Sequence, residues 1–539
     1  MMQRVAKSLL ASRRPTARGT IAIRAAALAT GVTLLVSGCA GQADSGGVGP
    51  STQPTRGGTL TVALSAIPPT VDPYATSLQA AWTTARNVCE PLFDVSTSFE
   101  VKPVLVDTVN YDGKLTYTLK LRSGVSFQNG QPFTADDVVA SLNRYLLTPG
   151  NGSILKGLTT GITSSGTDQV TISLKQPSAA IPTLLTTAYM MPASIVKDRP
   201  ITSPVNDLVC TGPYKLTKYT ADQNIELERW DGYKSPSGPS DGGTGEKKAY
   251  ADKIVFTPLP EASTRLQAVQ TGQVDIAGSL PLDVYDSVSS SGTAKALLTS
   301  PLSGSTVVFN KISGVMADTR MRQAFLAALN MTDIMGAGFG NKDFYSVDGS
   351  IIPEANKTWA SNAGTENYNK PDLEKVKQLL KDAGYNGQPI TWVTTKDDNT
   401  WYAPVLPAQQ QLKAAGLNVD VQVVDQATLI SRRTDPSKYD LFSSGIPTYA
   451  DPVLLPYLQE SFPGGWKNAQ RDALLTKLST EPDPAARKAA WDELQKLVWT
   501  EVPFLKFGTT KVLFAVSSRT QTQRPDELAG YYYNTWLNG

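Results

Sequence analysis

Tyr117-Thr118-Leu119-Lys120-Leu121-Arg122-Ser123-Gly124-Val125-Ser126-Phe127 is followed, past a turn at Asn129-Gly130, by Thr134-Ala135-Asp136-Asp137-Val138-Val139. From Leu115 the first run alternates: Leu115, Tyr117, Leu119 and Leu121 fall on one face, and Thr116, Thr118, Lys120 and Arg122 on the other, the period of a half-buried strand. Thr134 then caps a helix whose first turn holds Asp136 and Asp137, where the dipole favours negative charge. Val138, Val139, Leu142, Tyr145 and Leu146 give that helix an apolar stripe. Working outward, residues 58–64 read as an opening strand. Residues 253–257, 264–271 and 274–276 read as strand, helix and strand, with Gly272 stopping the helix. Alternation of this kind is the mark of an α/β protein.

The second half repeats the pattern. Residues 390–395 form a strand, 403–415 a helix stopped by Gly416, and 417–424 the next strand; a further strand covers 439–444. Such crossovers are right-handed, and ligands favour the carboxyl ends of the parallel strands they join. Two loops are thereby singled out. One is Lys396-Asp397-Asp398-Asn399-Thr400-Trp401. The other is Gly445-Ile446-Pro447-Thr448-Tyr449-Ala450-Asp451-Pro452. Both combine carboxylates, amides and an aromatic ring, which suits a polar solute with some apolar body. The alternative reading of Asp397, Asp398 and Asp451 is a capped turn on a solvated surface.

Length, charge and cysteine usage bound the rest. Arg4, Lys7, Arg13, Arg14, Arg18 and Arg24 precede an apolar stretch from Ala25 to Val36, then Ser37, Gly38 and Cys39. This is the layout of an export signal, with an apolar core too short for an ordinary membrane span. Small residues before Cys39 resemble a bacterial lipobox, which implies lipidation of Cys39 and removal of residues 1–38; an ordinary secretory signal is the alternative. Residues 39–57 read as a flexible tether. The leader holds six of the 50 basic residues and none of the 48 acidic ones, so the remainder carries 44 against 48, a formal −4. No basic stripe for nucleic acid is left. Histidine is absent from the chain, which excludes Ser-His-Asp and Cys-His catalysis and His-ligated metal sites. There is no Gly-x-Ser-x-Gly and no phosphate-cradling glycine loop. No catalytic residues, cofactor or metal are therefore expected. Cys89 and Cys210 are candidates for a disulfide in an oxidising compartment, or else two separate buried thiols.

Several segments, in order, resemble the extracytoplasmic solute-binding proteins of the peptide/nickel (family 5) class of ABC importers. They are Arg56-Gly57-Gly58-Thr59-Leu60, Pro69-Thr70-Val71-Asp72-Pro73, Glu90-Pro91-Leu92-Phe93, the run 117–127 and the helix start 134–139. Thr211-Gly212-Pro213-Tyr214-Lys215-Leu216, Phe309-Asn310, Arg320-Met321-Arg322-Gln323-Ala324 and Leu379-Leu380-Lys381-Asp382-Ala383-Gly384-Tyr385 complete the set. The resemblance implies a bilobed periplasmic-binding-protein-like fold of type II, the large peptide-binding class, with an extra subdomain in the first lobe. Residues 58–303 and 506–539 would form lobe I and residues 304–505 lobe II, with crossings near 303–308 and 503–507. It also implies a monomeric, lipid-anchored receptor that closes on an oligopeptide or similar solute and delivers it to a membrane ABC permease. An opine, oligosaccharide or chelated metal is the alternative ligand; a clefted hydrolase using Asp397 with Asp451, or a sensor, is the alternative function.

Departures from the family pattern bear on the ligand. Peptide-binding members usually have Gly-Trp and then an Asp that pairs with the peptide amine; here Gly445 precedes Ile446, and Thr448 or Tyr449 stands near the position of that Asp. Asp451 matches a later Asp-Pro. Arg432 and Arg433 lie where relatives place a carboxylate-binding arginine, and a guanidinium fork suits that task; a solvated Arg-Arg pair is the alternative. Tyr74 and Trp82 are further cleft candidates. Trp392 and Trp499 read as packing residues.

Overall fold

The computed structural model describes residues 53–76, 78–301 and 303–538, apart from the side chain at 427. Cys39, the leader and most of the tether lie outside the described residues. Among the described residues no helix is long and apolar enough to cross a membrane.

Two mixed sheets organise the molecule. The seven-stranded sheet runs in the order Ala294–Leu298, Leu513–Ser517, Ile276–Leu280, Thr59–Leu64, Lys253–Pro258, Asn224–Arg229, Tyr214–Thr220. Its centre is the opening strand Thr59–Leu64, parallel to both Lys253–Pro258 and Ile276–Leu280. Helix Ala262–Gln270 joins those two neighbours, and Gly272, at φ 75°, provides the left-handed turn that ends it. The six-stranded sheet runs Tyr345–Ser346, Phe504–Thr510, Ser303–Phe309, Leu441–Pro447, Ile390–Thr394, Val419–Val423. Ile390–Thr394 is parallel to both Val419–Val423 and Leu441–Pro447, as a crossover unit requires.

A third, four-stranded sheet of Val106–Tyr111, Thr116–Leu121, Gln169–Leu174 and Thr159–Ser165 forms the extra subdomain. Tyr117, Leu119 and Leu121 are buried and Lys120 is exposed, as the alternation requires. Leu115 is exposed instead of buried, because it lies in the turn before the strand begins. Helix Ala135–Tyr145 buries Val138, Leu142 and Tyr145, while Val139 and Leu146 are only half-buried. Asp137 does more than offset a dipole. Its carboxylate accepts the Thr134 N–H at 2.9 Å and the Ala193 N–H at 2.7 Å, so one side chain fixes the helix start and a second segment.

The chain passes between the two large sheets at two places, between Leu298 and Ser303 and between Thr510 and Leu513. The expected crossings at 303–308 and 503–507 both fall inside strands of the second sheet, the first inside Ser303–Phe309 and the second inside Phe504–Thr510. That strand stays with the second sheet because it pairs along Ser303–Phe309, Ser303 opposite Thr510 and Val308 opposite Phe504. Residues 506–510 therefore lie in the second sheet. The crossings run side by side: the Thr299 N–H donates to the Val512 carbonyl at 3.1 Å, and the Val512 N–H to the Thr299 hydroxyl at 3.0 Å.

Trp392 is fully buried, stacked on Phe507 with centroids 6.2 Å apart, and donates its indole N–H to the Ser443 hydroxyl at 3.0 Å. Trp499 is buried on helix Pro484–Glu501 and donates to the Gly349 carbonyl at 2.9 Å. Both are packing residues. Cys89 and Cys210 are joined in a buried disulfide, Cα atoms 4.8 Å apart, across a sequence separation of 121. In a chain-entropy account a link over that length stabilises the fold by about 4–5 kcal/mol. Gln128 reinforces the junction: its amide nitrogen donates to the Val88, Gly212 and Tyr214 carbonyls, and its oxygen accepts the Cys210 N–H.

Asp72, in the segment 69–73, is fully buried and pairs with buried Arg144. It also accepts the Tyr74 N–H at 3.0 Å and the Val205 N–H at 2.9 Å. Removing one partner of such a pair strands the other charge in the core. Asp72→Ala is expected to cost about 3–5 kcal/mol of stability, read by denaturant titration; an effect within the range of an exposed salt bridge would contradict this role.

Candidate binding cleft

Strand Leu441–Pro447 ends where Pro447 faces Ser303, beside a crossing between the sheets. Its carboxyl end therefore delivers Pro447, Thr448, Tyr449 and Ala450 to the boundary between the two halves, where ligands of such sheets sit. Opposite them are segments of the first half: Arg86 at the end of helix Gln79–Val88, Asp94 on strand Phe93–Val95, Tyr189, and the C-terminal residues Glu527 and Tyr531. Together these groups line a cavity of about 390 Å³. An adjoining cavity of about 430 Å³ is lined by Tyr74, Trp82 and Tyr145; both share Asn151 and Thr187.

Local sequence explains the placement. Asn87, fully buried beside Arg86, donates to the Gly530 carbonyl at 2.9 Å and accepts the Tyr532 N–H at 2.9 Å. That clamp holds the C-terminal segment against the helix. Gly530 has no Cβ to spare: one built there would approach the Arg86 guanidinium to 2.8 Å. Arg86 donates to the Ala529 carbonyl at 3.4 Å and lies 5.3 Å from the Tyr531 ring centroid. On the second side, Asn356 donates to the Tyr449 carbonyl at 2.9 Å and shapes that loop.

Burial around the cleft shifts its ionisable groups. Burial works against the Arg86 cation, but Tyr531, Tyr189 and Asp94 around it outweigh that and keep it charged. Burial raises Asp94 above the usual carboxylate range, with Lys247, the Val95 N–H and Arg86 opposing. Burial likewise pushes Tyr449 and Tyr189 up to about 12 and Glu527 up to about 7. At neutral pH the tyrosines are hydrogen-bond donors, and the cleft offers a guanidinium, three carboxyl groups (Asp94, Asp526 and Glu527) and several aromatic faces.

The expected site residues divide. Thr448 and Tyr449 line the main cavity; Tyr74 and Trp82 line the adjoining one. Tyr74 is nevertheless tied up, its hydroxyl bonded to the backbone of Tyr189. Trp401 is half-buried, with its indole nitrogen against Gly445, where a Cβ would meet it at 2.7 Å. Asn399 lines a separate cavity of about 380 Å³ with Asp283, Asp286 and Asn341. Asp397 is exposed and accepts the Gln426 N–H at 2.7 Å, so it ties two loops together instead of facing the cleft. Asp451 is buried and engaged by Arg487 at 2.7 Å and by the Val453 N–H at 3.0 Å. Arg432 donates to Gln422 at 2.9 Å and lines a groove of about 740 Å³ at the amino ends of the strands. Arg433 packs over Phe462, 5.7 Å from its centroid. That groove is larger than the cleft, but its walls come from the second half alone and its place is the opposite end of the sheet.

Arg86, Asp94, Tyr189, Glu527 and Tyr531 were missed by sequence reasoning. Arg86 is the lone charge on helix Gln79–Val88, a signal that could have been used. Asp94 directly follows the marker 90–93. Glu527 and Tyr531 carry no local signal; only the long-range clamp through Asn87 brings them to the site.

Comparison with known proteins agrees with this geometry. A family model described as bacterial extracellular solute-binding proteins, family 5, middle region, matches residues 100–467. The chain belongs to this family. Its members are extracytoplasmic binding proteins that serve transport and are not enzymes. A probable peptide ABC transporter periplasmic-binding protein of Sinorhizobium fredii is 28% identical over 471 residues, covering 83% of this chain and 87% of that protein. The glutathione-binding protein GsiB of Escherichia coli is 26% identical over 476 residues, covering 83% and 88%. Among solved structures, the oligopeptide-binding protein AppA of Bacillus subtilis, in complex with a nonapeptide, superposes with a TM-score of 0.75 at 20% identity over 90% of this chain and 100% of that one. Likeness at that identity establishes the bilobed α/β fold.

The division between buried, paired carboxylates and surface ones is testable. Asp451→Ala in this binding protein is expected to lose about 3–5 kcal/mol of stability, because Arg487 would be left buried and unpaired. Asp397→Ala is expected to change it by less than about 1 kcal/mol. Thermal denaturation of both variants checks the contrast, and equal effects would contradict it.

Proposed function

We propose that this protein is the substrate-binding component of an ABC importer, tethered outside the membrane through lipidated Cys39, which captures an oligopeptide or related amino-acid-derived solute and hands it to a membrane permease. One observation carries the reading: a cavity lined by both halves of the chain brings Arg86, Asp94 and Glu527 to one side and Tyr449 to the other. Oppositely charged groups with aromatic walls suit a zwitterionic solute that has an apolar body. Relatives named for peptide and glutathione binding support the same class. Lobe I would comprise the seven-stranded sheet with the extra subdomain, lobe II the six-stranded sheet, and residues 39–57 the tether of a monomeric receptor. Contacts to both lobes would favour a closed state, with the paired crossings at Thr299 and Val512 as the hinge.

A hydrolase built on Asp397 and Asp451 has no support in the geometry, since one ties a surface loop and the other is consumed by Arg487.

Native mass spectrometry of protein starting at Ala40, followed by identification of what leaves on denaturation, tests the solute class. A series of peptide masses is expected. One defined non-peptide mass, such as an opine, would replace the solute and leave the importer reading in place. Anchoring is tested separately: metabolic labelling with an alkyne fatty acid should mark the full chain and fail to mark Cys39→Ser, and equal labelling of both would overturn it.

A further inference from the structure

Residues from opposite halves of this protein are bonded at a place that neither crossing supplies. The Ser178 hydroxyl donates to the Ser479 carbonyl at 2.7 Å, and Ser178 is fully buried. Ser178 follows strand Gln169–Leu174 and is held on the four-stranded sheet by its own backbone. Its N–H donates to the Tyr111 hydroxyl at 3.1 Å, and its carbonyl accepts the Tyr117 hydroxyl at 2.8 Å. Those two tyrosines face each other on paired strands, with their rings stacked and centroids 4.2 Å apart. The serine thus stands on an aromatic pedestal.

On the other side, Ser479 lies in the last turn of helix Ala469–Thr480. The final carbonyls of a helix have no partner within it and carry the negative end of its dipole. Here three of them are met in turn. The Lys477 carbonyl accepts the Glu481 N–H at 2.9 Å, and the Leu478 carbonyl accepts the Arg487 Nε–H at 2.8 Å. Ser479 receives its donor from the other half of the molecule. Arg487 also grips Asp451 at 2.7 Å, and Asp451 directly follows Ala450 of the cleft wall. The acceptor that Ser178 uses is therefore positioned by the same ion pair that ends the loop 447–450.

We infer that Ser178 is a latch: it caps helix Ala469–Thr480 across the gap between the halves and so couples the extra subdomain to closure of the cleft. The inference rests on the reading of that cleft as a site that closes by movement of the halves about the crossings. A hydroxyl and a helix-end carbonyl are both served by water once they part, so the bond forms and breaks at small cost. Because both partners belong to the chain, the latch favours the closed arrangement with or without solute. A solute that stabilises closure gains from it.

The test places nitroxide labels on Lys120→Cys, an exposed position of the four-stranded sheet, and on Lys467→Cys, an exposed position of the second half. Pulsed electron resonance then reads their separation. In the same background, Ser178→Ala removes one oxygen and leaves the backbone bonds to Tyr111 and Tyr117 in place. The labelled parent is expected to hold a short-distance population that Ser178→Ala loses in part, both alone and with an equimolar pool of tri- to pentapeptides. Calorimetry with that pool should show Ser178→Ala binding about threefold to tenfold more weakly, the worth of one hydrogen bond. Tyr117→Phe, which loosens the pedestal but keeps the latch hydroxyl, should move the same population in the same direction by less. Parent-like distances and affinity in both variants would overturn the latch and leave a peptide receptor intact. If the pool does not bind, the peptide reading falls, and the distances measured without it still decide the latch.

Discussion

The pairing of Ser303–Phe309 with Phe504–Thr510 is the constraint on which the rest of this molecule depends. These strands are far apart in sequence yet lie side by side at the centre of the second sheet, and each leads directly to a crossing into the first. Because the crossings are bonded to each other at Thr299 and Val512, the two halves meet along one narrow seam. Strand Leu441–Pro447 pairs with the same central strand and ends at that seam. The cleft is thus where it is because backbone hydrogen bonds put a strand's carboxyl end there, before any side chain is considered.

Side chains then decide what the cleft can hold. The fold contains several buried charges, and the deciding question for each is whether its charge is already answered. Asp72, Glu90 and Asp451 are answered inside the protein, and their contribution is to structure. Arg86 meets a carbonyl, a ring and the nearby Asp94, and Glu527 keeps an unpaired oxygen. In a medium of low dielectric these differences are large. Unpaired atoms also remain on Arg122, Arg144 and Arg471, outside this cavity, so what distinguishes the cleft is its place between the two halves.

Much of this was legible in the chain. The strand and helix at 117–139 appear with their capping residues, and the crossover unit 390–424 appears with its parallel partners, because period and caps are local properties. The loop 447–450 was found from the rule about strand carboxyl ends. What failed was the assignment of individual carboxylates and arginines: Asp397, Asp451, Arg432 and Arg433 have suitable chemistry but are committed to Gln426, Arg487, Gln422 and Phe462. Sequence shows a residue's chemistry, not whether a neighbour has already used it. Glu527 and Tyr531 were beyond reach for a second reason, since they join the site only through contacts to a helix more than 400 residues away.

Hydrogen–deuterium exchange with and without the peptide pool tests the central claim, that solute is held between the two halves at this seam. Slowed exchange is predicted together in residues 86–99, 447–454 and 526–531. Protection confined to one half, or centred on the groove around Arg432, would contradict it.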